Sequence, residues 1–124
     1  MPTLEKKRFD APDREARPEG AVGLLVDLDG MTVGRYTYQP GWRWVDSVGP
    51  LLGADHCHVE HFGYVLSGRL RVRHRDGSET VVGPGDVYRV SADHQGQVDG
   101  DEPFETIEFL PAAREQLSRG SALG

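Results

Sequence analysis

Five histidines occur in the 124-residue chain, and three of them fall between positions 56 and 61, in the run Asp55-His56-Cys57-His58-Val59-Glu60-His61. Side chains at i and i+2 of a strand share a face, so His56 and His58 can aim two imidazoles at one point. Neutral imidazole is the commonest protein ligand for zinc, iron, copper and nickel. Cys57 adds a thiol that suits zinc or a soft metal, and a free cysteine is equally at home as a buried apolar residue. Glu60 offers a carboxylate as a ligand or as a general base beside a metal. His74 lies just before the Asp76-Gly77 corner, among arginines, and reads as a strand-end residue.

Metal chemistry needs a rigid frame, and the composition limits which frame. The chain weighs 13.7 kDa, which is one domain with one core. Sixteen glycines and eight prolines interrupt it. Both residue types are costly inside helices, so the pattern points to short strands joined by tight turns. Fourteen Lys+Arg against twenty Asp+Glu give a net charge of −6. That balance argues against a phosphate-backbone binder, and no nucleic-acid partner is expected. A single cysteine excludes an intramolecular disulfide framework. No apolar run approaches the roughly 20 residues that span a bilayer, and the N-terminus lacks a signal-peptide core. A cytoplasmic protein without a membrane partner is the expectation.

The strands can be placed from turn signals. Val22 to Leu28 and Met31 to Tyr38 flank Asp29-Gly30, a hairpin dipeptide. Trp42 to Val45 reads as a short strand. Phe62 to Leu66 leads through Ser67-Gly68 into Arg69 to Arg75, which alternates strictly, with Leu70 and Val72 inward and the arginines in solvent. Asp76-Gly77 turns the chain again, Thr80 to Val82 returns, and Val87 to Val90 follows Gly83-Pro84-Gly85-Asp86. Phe104 to Leu110 is the last strand. Only Ala112 to Leu117 has helix-forming composition. Nine or ten strands with turns every 6 to 12 residues predict an all-β sandwich or barrel. The domain plan is an arm over 1–20, a barrel over 21–111 and a short helical tail over 112–124.

The stretch from Gly53 to Gly68 resembles the first motif of the cupin superfamily. That motif is a glycine, a His-x-His pair, a glutamate and a closing glycine. Tyr64-Val65-Leu66-Ser67-Gly68 matches its end. Gly83-Pro84-Gly85-Asp86 through Ser91-Ala92-Asp93-His94 resembles the second motif, with His94 at its metal-binding histidine and Val98 at its asparagine. The resemblance covers about Met31 to Leu110. It implies a jelly-roll or cupin-like barrel with a metal inside. The glutamate position, seven before Gly68, holds His61. Two registers follow. In one, His56, His58, His61 and His94 hold the metal. In the other the motif slides by one residue, the strand face inverts, and Asp55 and Cys57 replace His56 and His58. Small single-domain cupins with Cys, three residues, His, then Gly-Tyr-Val and Ser-Gly resemble the second. His61 and His94 belong to both.

The resemblance implies a divalent transition metal, with zinc, iron, nickel or copper favoured over manganese because the ligands are nitrogen-rich. Glu60 and Tyr64 are the candidate catalytic groups. Tyr36, Tyr38 and Trp44 are candidate walls of a small-molecule pocket, with Arg89 placed to hold a carboxylate. The expected function is a metal-binding cupin acting on a small organic molecule, as a dioxygenase, isomerase or lyase. The alternative is a non-catalytic cupin that binds or senses a small ligand, with or without metal. A homodimer is expected because cupins often pair through edge strands.

Overall fold

The computed structural model describes residues 3–111, so the helical tail expected over 112–124 lies outside the described residues. The order of elements is β1 (Arg14–Ala16), β2 (Ala21–Leu28), β3 (Met31–Tyr38), α1 (Trp44–Ser47), α2 (Gly49–Leu52), β4 (His61–Ser67), β5 (Leu70–His74), β6 (Glu79–Val82), β7 (Val87–Val90), β8 (His94–Val98) and β9 (Phe104–Pro111). All strand pairs are antiparallel. One sheet has six strands in the order β1-β2-β3-β9-β4-β7, and the other has three in the order β6-β5-β8. No helix among the described residues is long and apolar enough to cross a membrane.

The alternation of side chains decides what each strand buries. On β3, Thr32, Gly34, Tyr36 and Tyr38 face inward, and on β9 Phe104 and Thr106 do the same. Gly63 and Val65 continue that face on β4, and Tyr88 and Val90 on β7. Val72 of β5 and Val98 of β8 close the core from the smaller sheet. The arginines of β5 lie outside, as their alternation predicts. Arg71 and Arg73 reach Glu79 at 3.4 and 3.1 Å. The segment before β2 is part of the larger sheet: Arg14–Ala16 pairs with Gly23–Leu25 of its own chain.

The strand expected at Trp42 to Val45 is corrected. Arg43 makes one isolated bridge to Gln97, and the chain then turns into α1 and α2. Two causes are visible. Pro50 sits in the first turn of α2, where a missing N–H costs nothing, and Gly53 ends that helix at φ 65°. The aromatic and β-branched character of Trp44-Val45 was the misleading signal. Trp44 is 1% exposed, and its burial in the core outweighs its local strand preference. β8, a run of His, Gln, Gly, Gln and Val with little apolar alternation, has no signal in the sequence, and β1 lies in the N-terminal segment that reads as an extended arm or a docking strand.

Gly34 and Gly63 have a structural task. Glu108 on β9 is paired with Gly34 on β3 and with Gly63 on β4. A Cβ on Gly63 would lie 2.6 Å from the Tyr88 ring, and one on Gly34 would lie 2.6 Å from the ring of Tyr36. The two glycines let two tyrosine rings lie flat over the strands on either side of one buried carboxylate. A glycine inside a strand often marks such a close approach.

Candidate metal centre

Cys57, His61 and His94 each contribute one ligand atom to a group that lies within 4.8 Å of one another. Their convergence comes from the backbone. Cys57 precedes β4 and forms an isolated antiparallel bridge with His94, the first residue of β8. Its N–H donates to the His94 carbonyl at 2.8 Å, and the His94 N–H donates back at 3.2 Å. His61 opens β4, and its Nε2 is 3.6 Å from Cys57 Sγ. The His61 and His94 rings stand edge to face with centroids 5.1 Å apart.

The outer nitrogens are held by fixed acceptors. His94 Nδ1 is 2.7 Å from the Ser91 carbonyl oxygen, which can only accept, so Nδ1 carries the proton. His61 Nδ1 is 2.8 Å from Glu108 Oε1, and the carboxylate sets the same tautomer. When neutral, each ring then presents the Nε2 lone pair. A metal-ligating histidine generally has this arrangement. Tyr88 donates its hydroxyl to Glu108 Oε2 at 2.5 Å and lies 2.8 Å from Thr106 Oγ1, which donates to the Tyr64 carbonyl at 3.0 Å. Both hydroxyl protons are thus committed, Tyr88 to Glu108 and Thr106 to the Tyr64 carbonyl, and the Tyr88–Thr106 pair is a close contact rather than a further link.

Electrostatics favour a charged pair in the metal-free site. Burial alone would raise the Cys57 thiol, but hydrogen bonds and charge from His61 and His94 outweigh it and bring it from 9.0 down to about 6. The Val59 N–H also donates to the sulfur at 3.4 Å. Burial would lower His61, and the Glu108 charge and the Cys57 sulfur raise it well above its ordinary value instead. Burial would raise Glu108, and the His61 charge and hydrogen bonds from His61 and Tyr88 hold it below the ordinary value.

The sign of the pH effect follows from these directions. The depressed Cys57 contributes stability that is complete above 9.0 and lost as pH falls toward 6. The raised His61 contributes stability present below 6.5 and lost as pH rises through its own elevated value. Thiolate absorbance of metal-free protein should therefore titrate with a midpoint near 6. A midpoint at the ordinary 9.0 would show that Cys57 is not paired with the histidines.

The other candidate residues are placed as follows. His58 is exposed and bonded to Asp93 at 2.7 Å. His56 contacts Asp55 at 3.1 Å, and Asp55 is exposed beside Arg75. Between 55 and 58, Cys57 is the residue that reaches the cluster, brought there by its bridge to His94; His58 is exposed, and His56 is largely buried but outside the cluster. His74 is half-buried, 3.0 Å from Ser91 Oγ and outside the cluster. Glu60 pairs with Arg89 at 2.9 Å, away from the ligands. Tyr64 is exposed on the outer face of β4, opposite to Gly63 and Val65. Arg89 is likewise outward on β7. Tyr36 is core, and its ring lies against Gly34.

Tyr38 and Trp44 line a cavity of about 30 Å³ that reaches His61, His94 and Glu108. Trp42, Val72, Val90 and Phe104 complete its apolar wall. Glu108 was missed from the sequence. Its signal was the alternation Phe104, Thr106, Glu108, which puts all three on one face.

The cupin domain family model matches residues 34–110. No curated protein matches. Among solved structures, the polyketide cyclase RemF from Streptomyces resistomycificus superposes with a TM-score of 0.61 at 17% identity, covering 88% of this chain and 80% of that one. KdgF from Halomonas sp. gives 0.59 at 15% identity, covering 84% and 90%. An oxalate decarboxylase from Lactobacillus farciminis gives 0.61 at 14% identity and covers 90% of this chain, which spans only 34% of that one. At these identities the likeness is one of fold. Taken with the family match over two antiparallel sheets, it shows that this chain belongs to the cupin family.

Proposed function

We propose that the chain is a metal-dependent cupin whose ion is held by Cys57, His61 and His94 and which acts on a small organic molecule in the adjoining cavity. One observation carries this reading: three ligand atoms converge within 4.8 Å while both histidines have their Nδ1 groups engaged elsewhere. The donor set fits a transition metal. One thiolate and two imidazoles suit zinc, copper, iron or nickel and do not suit magnesium, calcium or manganese, which prefer oxygen. Three protein ligands leave a coordination position for water or substrate, as in catalytic rather than structural sites.

A bound ion supplies Lewis acidity toward a carbonyl or enol oxygen, or a lowered pKa for a bound water. This chain's own residues do the rest. Glu108 accepts the His61 Nδ1 proton and keeps the ring in its binding tautomer. Tyr88 holds the second Glu108 oxygen, so the carboxylate cannot swing toward the ligands. Trp44, Phe104, Val72 and Val90 exclude bulk water. With Glu60 and Tyr64 outside the cavity lining, its titratable groups among the described residues are His61, His94 and Glu108 together with Tyr38 and Tyr88. The cavity volume favours a compact substrate. It is also the observation that favours the second reading, a small-ligand sensor without turnover.

Elemental analysis of protein purified from metal-replete medium tests the proposal. About one transition-metal ion per chain is expected, and a cobalt-substituted sample should show thiolate-to-metal charge transfer. Metal-free protein under replete conditions, or cobalt binding without a thiolate band, would overturn it.

A further inference from the structure

One polar group on the cavity wall is unused. Tyr38 is 6% exposed and lines the cavity together with Tyr88, His61, His94 and Glu108. Those neighbours are engaged: Tyr88 donates to Glu108, and the two imidazoles hold Glu108 and the Ser91 carbonyl through Nδ1. The Tyr38 hydroxyl makes no hydrogen bond among the described residues. The indole nitrogens of Trp42 and Trp44 also lack partners, but they are sealed, with no surface that an occupant reaches. The Tyr38 oxygen is not sealed in that way, and the free space beside it is the cavity.

The hydroxyl is fixed in place and in charge. Its ring packs against Trp42 and Phe104 with centroids 4.4 and 5.9 Å apart, and lies nearly parallel to Tyr36 at 6.3 Å. Burial pushes the phenol well above its ordinary 10.0, and Glu108, Tyr36, Tyr88 and Cys57 lie near enough to push the same way. The group is therefore a neutral donor on the side of the ligand cluster. A buried donor without an acceptor has lost its hydration, so an occupant that returns a hydrogen bond is favoured over an apolar one. A cavity of about 30 Å³ has room for only a few heavy atoms. We propose that Tyr38 is a ligand-contacting residue whose hydroxyl donates to the carbonyl-type oxygen of a compact organic molecule in this cavity. The inference rests on the cavity of the proposed function and needs no bound ion.

Tyr38→Phe tests it, because it deletes one oxygen and keeps the ring packing. That oxygen has no partner in the protein, so the thermal midpoint should stay level or rise. The probes are acetamide and acetone, which carry a carbonyl oxygen, and xenon, which carries no acceptor. The amide and the ketone are followed by emission of Trp42 and Trp44, the chain's only tryptophans, and xenon by its own NMR shift. Saturable binding of acetamide or acetone is expected in wild type. Tyr38→Phe should weaken it by about tenfold, the upper end for a neutral hydrogen bond, and leave xenon binding undiminished. Tyr64→Phe, on the outer face, should change neither. No saturable carbonyl binding in wild type, unchanged affinity in Tyr38→Phe, an equal loss of xenon or a lowered midpoint would overturn the proposal. Metal content is measured on the same samples. Tyr38-dependent binding to protein that takes up no metal would overturn the metal reading and leave this one standing. Stoichiometric metal with binding that ignores Tyr38 would do the reverse.

Discussion

Cys57→Ala should abolish stoichiometric metal binding, and His58→Ala should leave it intact. The two residues are adjacent but one places its side chain in the cluster and the other in solvent. Cys57 is 1% exposed with its sulfur 3.6 Å from His61 Nε2, while His58 is exposed and pairs with Asp93. Alanine at 57 removes the one anionic ligand and leaves two imidazoles. Changes to groups that merely support ligands cost about 10–100-fold in metal affinity, so the loss of a ligand should exceed about 100-fold. The fold should survive, because the hydrogen bonds that join residue 57 to His94 use backbone atoms. The measurement is competition against a chromophoric chelator, with metal content by elemental analysis and folding by circular dichroism. Wild-type affinity in folded Cys57→Ala would sink the assignment. So would loss of metal in His58→Ala, since that would return the first His-x-His register to favour.

That experiment concerns the part of the site that was ambiguous in the sequence. Strands β2, β3, β4, β5, β7 and β9 were legible because alternation and Gly or Pro corners bound each of them. Parity within 55–58 was not. Two adjacent pairs, His56 with His58 and Asp55 with Cys57, satisfy the same i, i+2 rule. The choice depends on a bridge to His94, 37 residues along the chain. A long-range backbone pair leaves no local mark. Glu108 was hidden differently. Its face could be read from Phe104 and Thr106, but its partners His61 and Tyr88 come from other strands. The glycines at 34 and 63 fall inside the strands read at Met31 to Tyr38 and Phe62 to Leu66, but nothing local marks the close approach that they allow. Trp44 shows the reverse failure, where a local strand preference lost to burial in the core.

Glu108→Gln should weaken metal binding by about 10–100-fold without unfolding the protein. Glutamine keeps the shape of the side chain but changes its hydrogen-bonding pattern. The glutamate oxygens receive two donors, His61 Nδ1–H at 2.8 Å and the Tyr88 hydroxyl at 2.5 Å. An amide offers one carbonyl oxygen and one NH2, so only one of the two donors can keep its acceptor. If the carbonyl goes to Tyr88, His61 loses its anchor, and its ring can rotate or change tautomer. If it goes to His61, the amide NH2 donates to the Tyr88 oxygen and the Tyr88 hydroxyl turns to Thr106 Oγ1. The first arrangement costs about 1–3 kcal/mol for the misplaced donor. The charge is lost as well. Glu108 is the leading cause that raises His61, so in metal-free Glu108→Gln the imidazole should titrate at lower pH than in wild type. The stability that His61 contributes is present below 6.5 and is lost as pH rises through its raised value, so the variant's deficit should be larger in acid than in base. A purely packing role for Glu108 predicts no such pH dependence and no movement of the His61 titration. Histidine resonances of the metal-free protein, followed by NMR across pH, separate the two. An unmoved His61 together with unchanged metal affinity would remove Glu108 from the site.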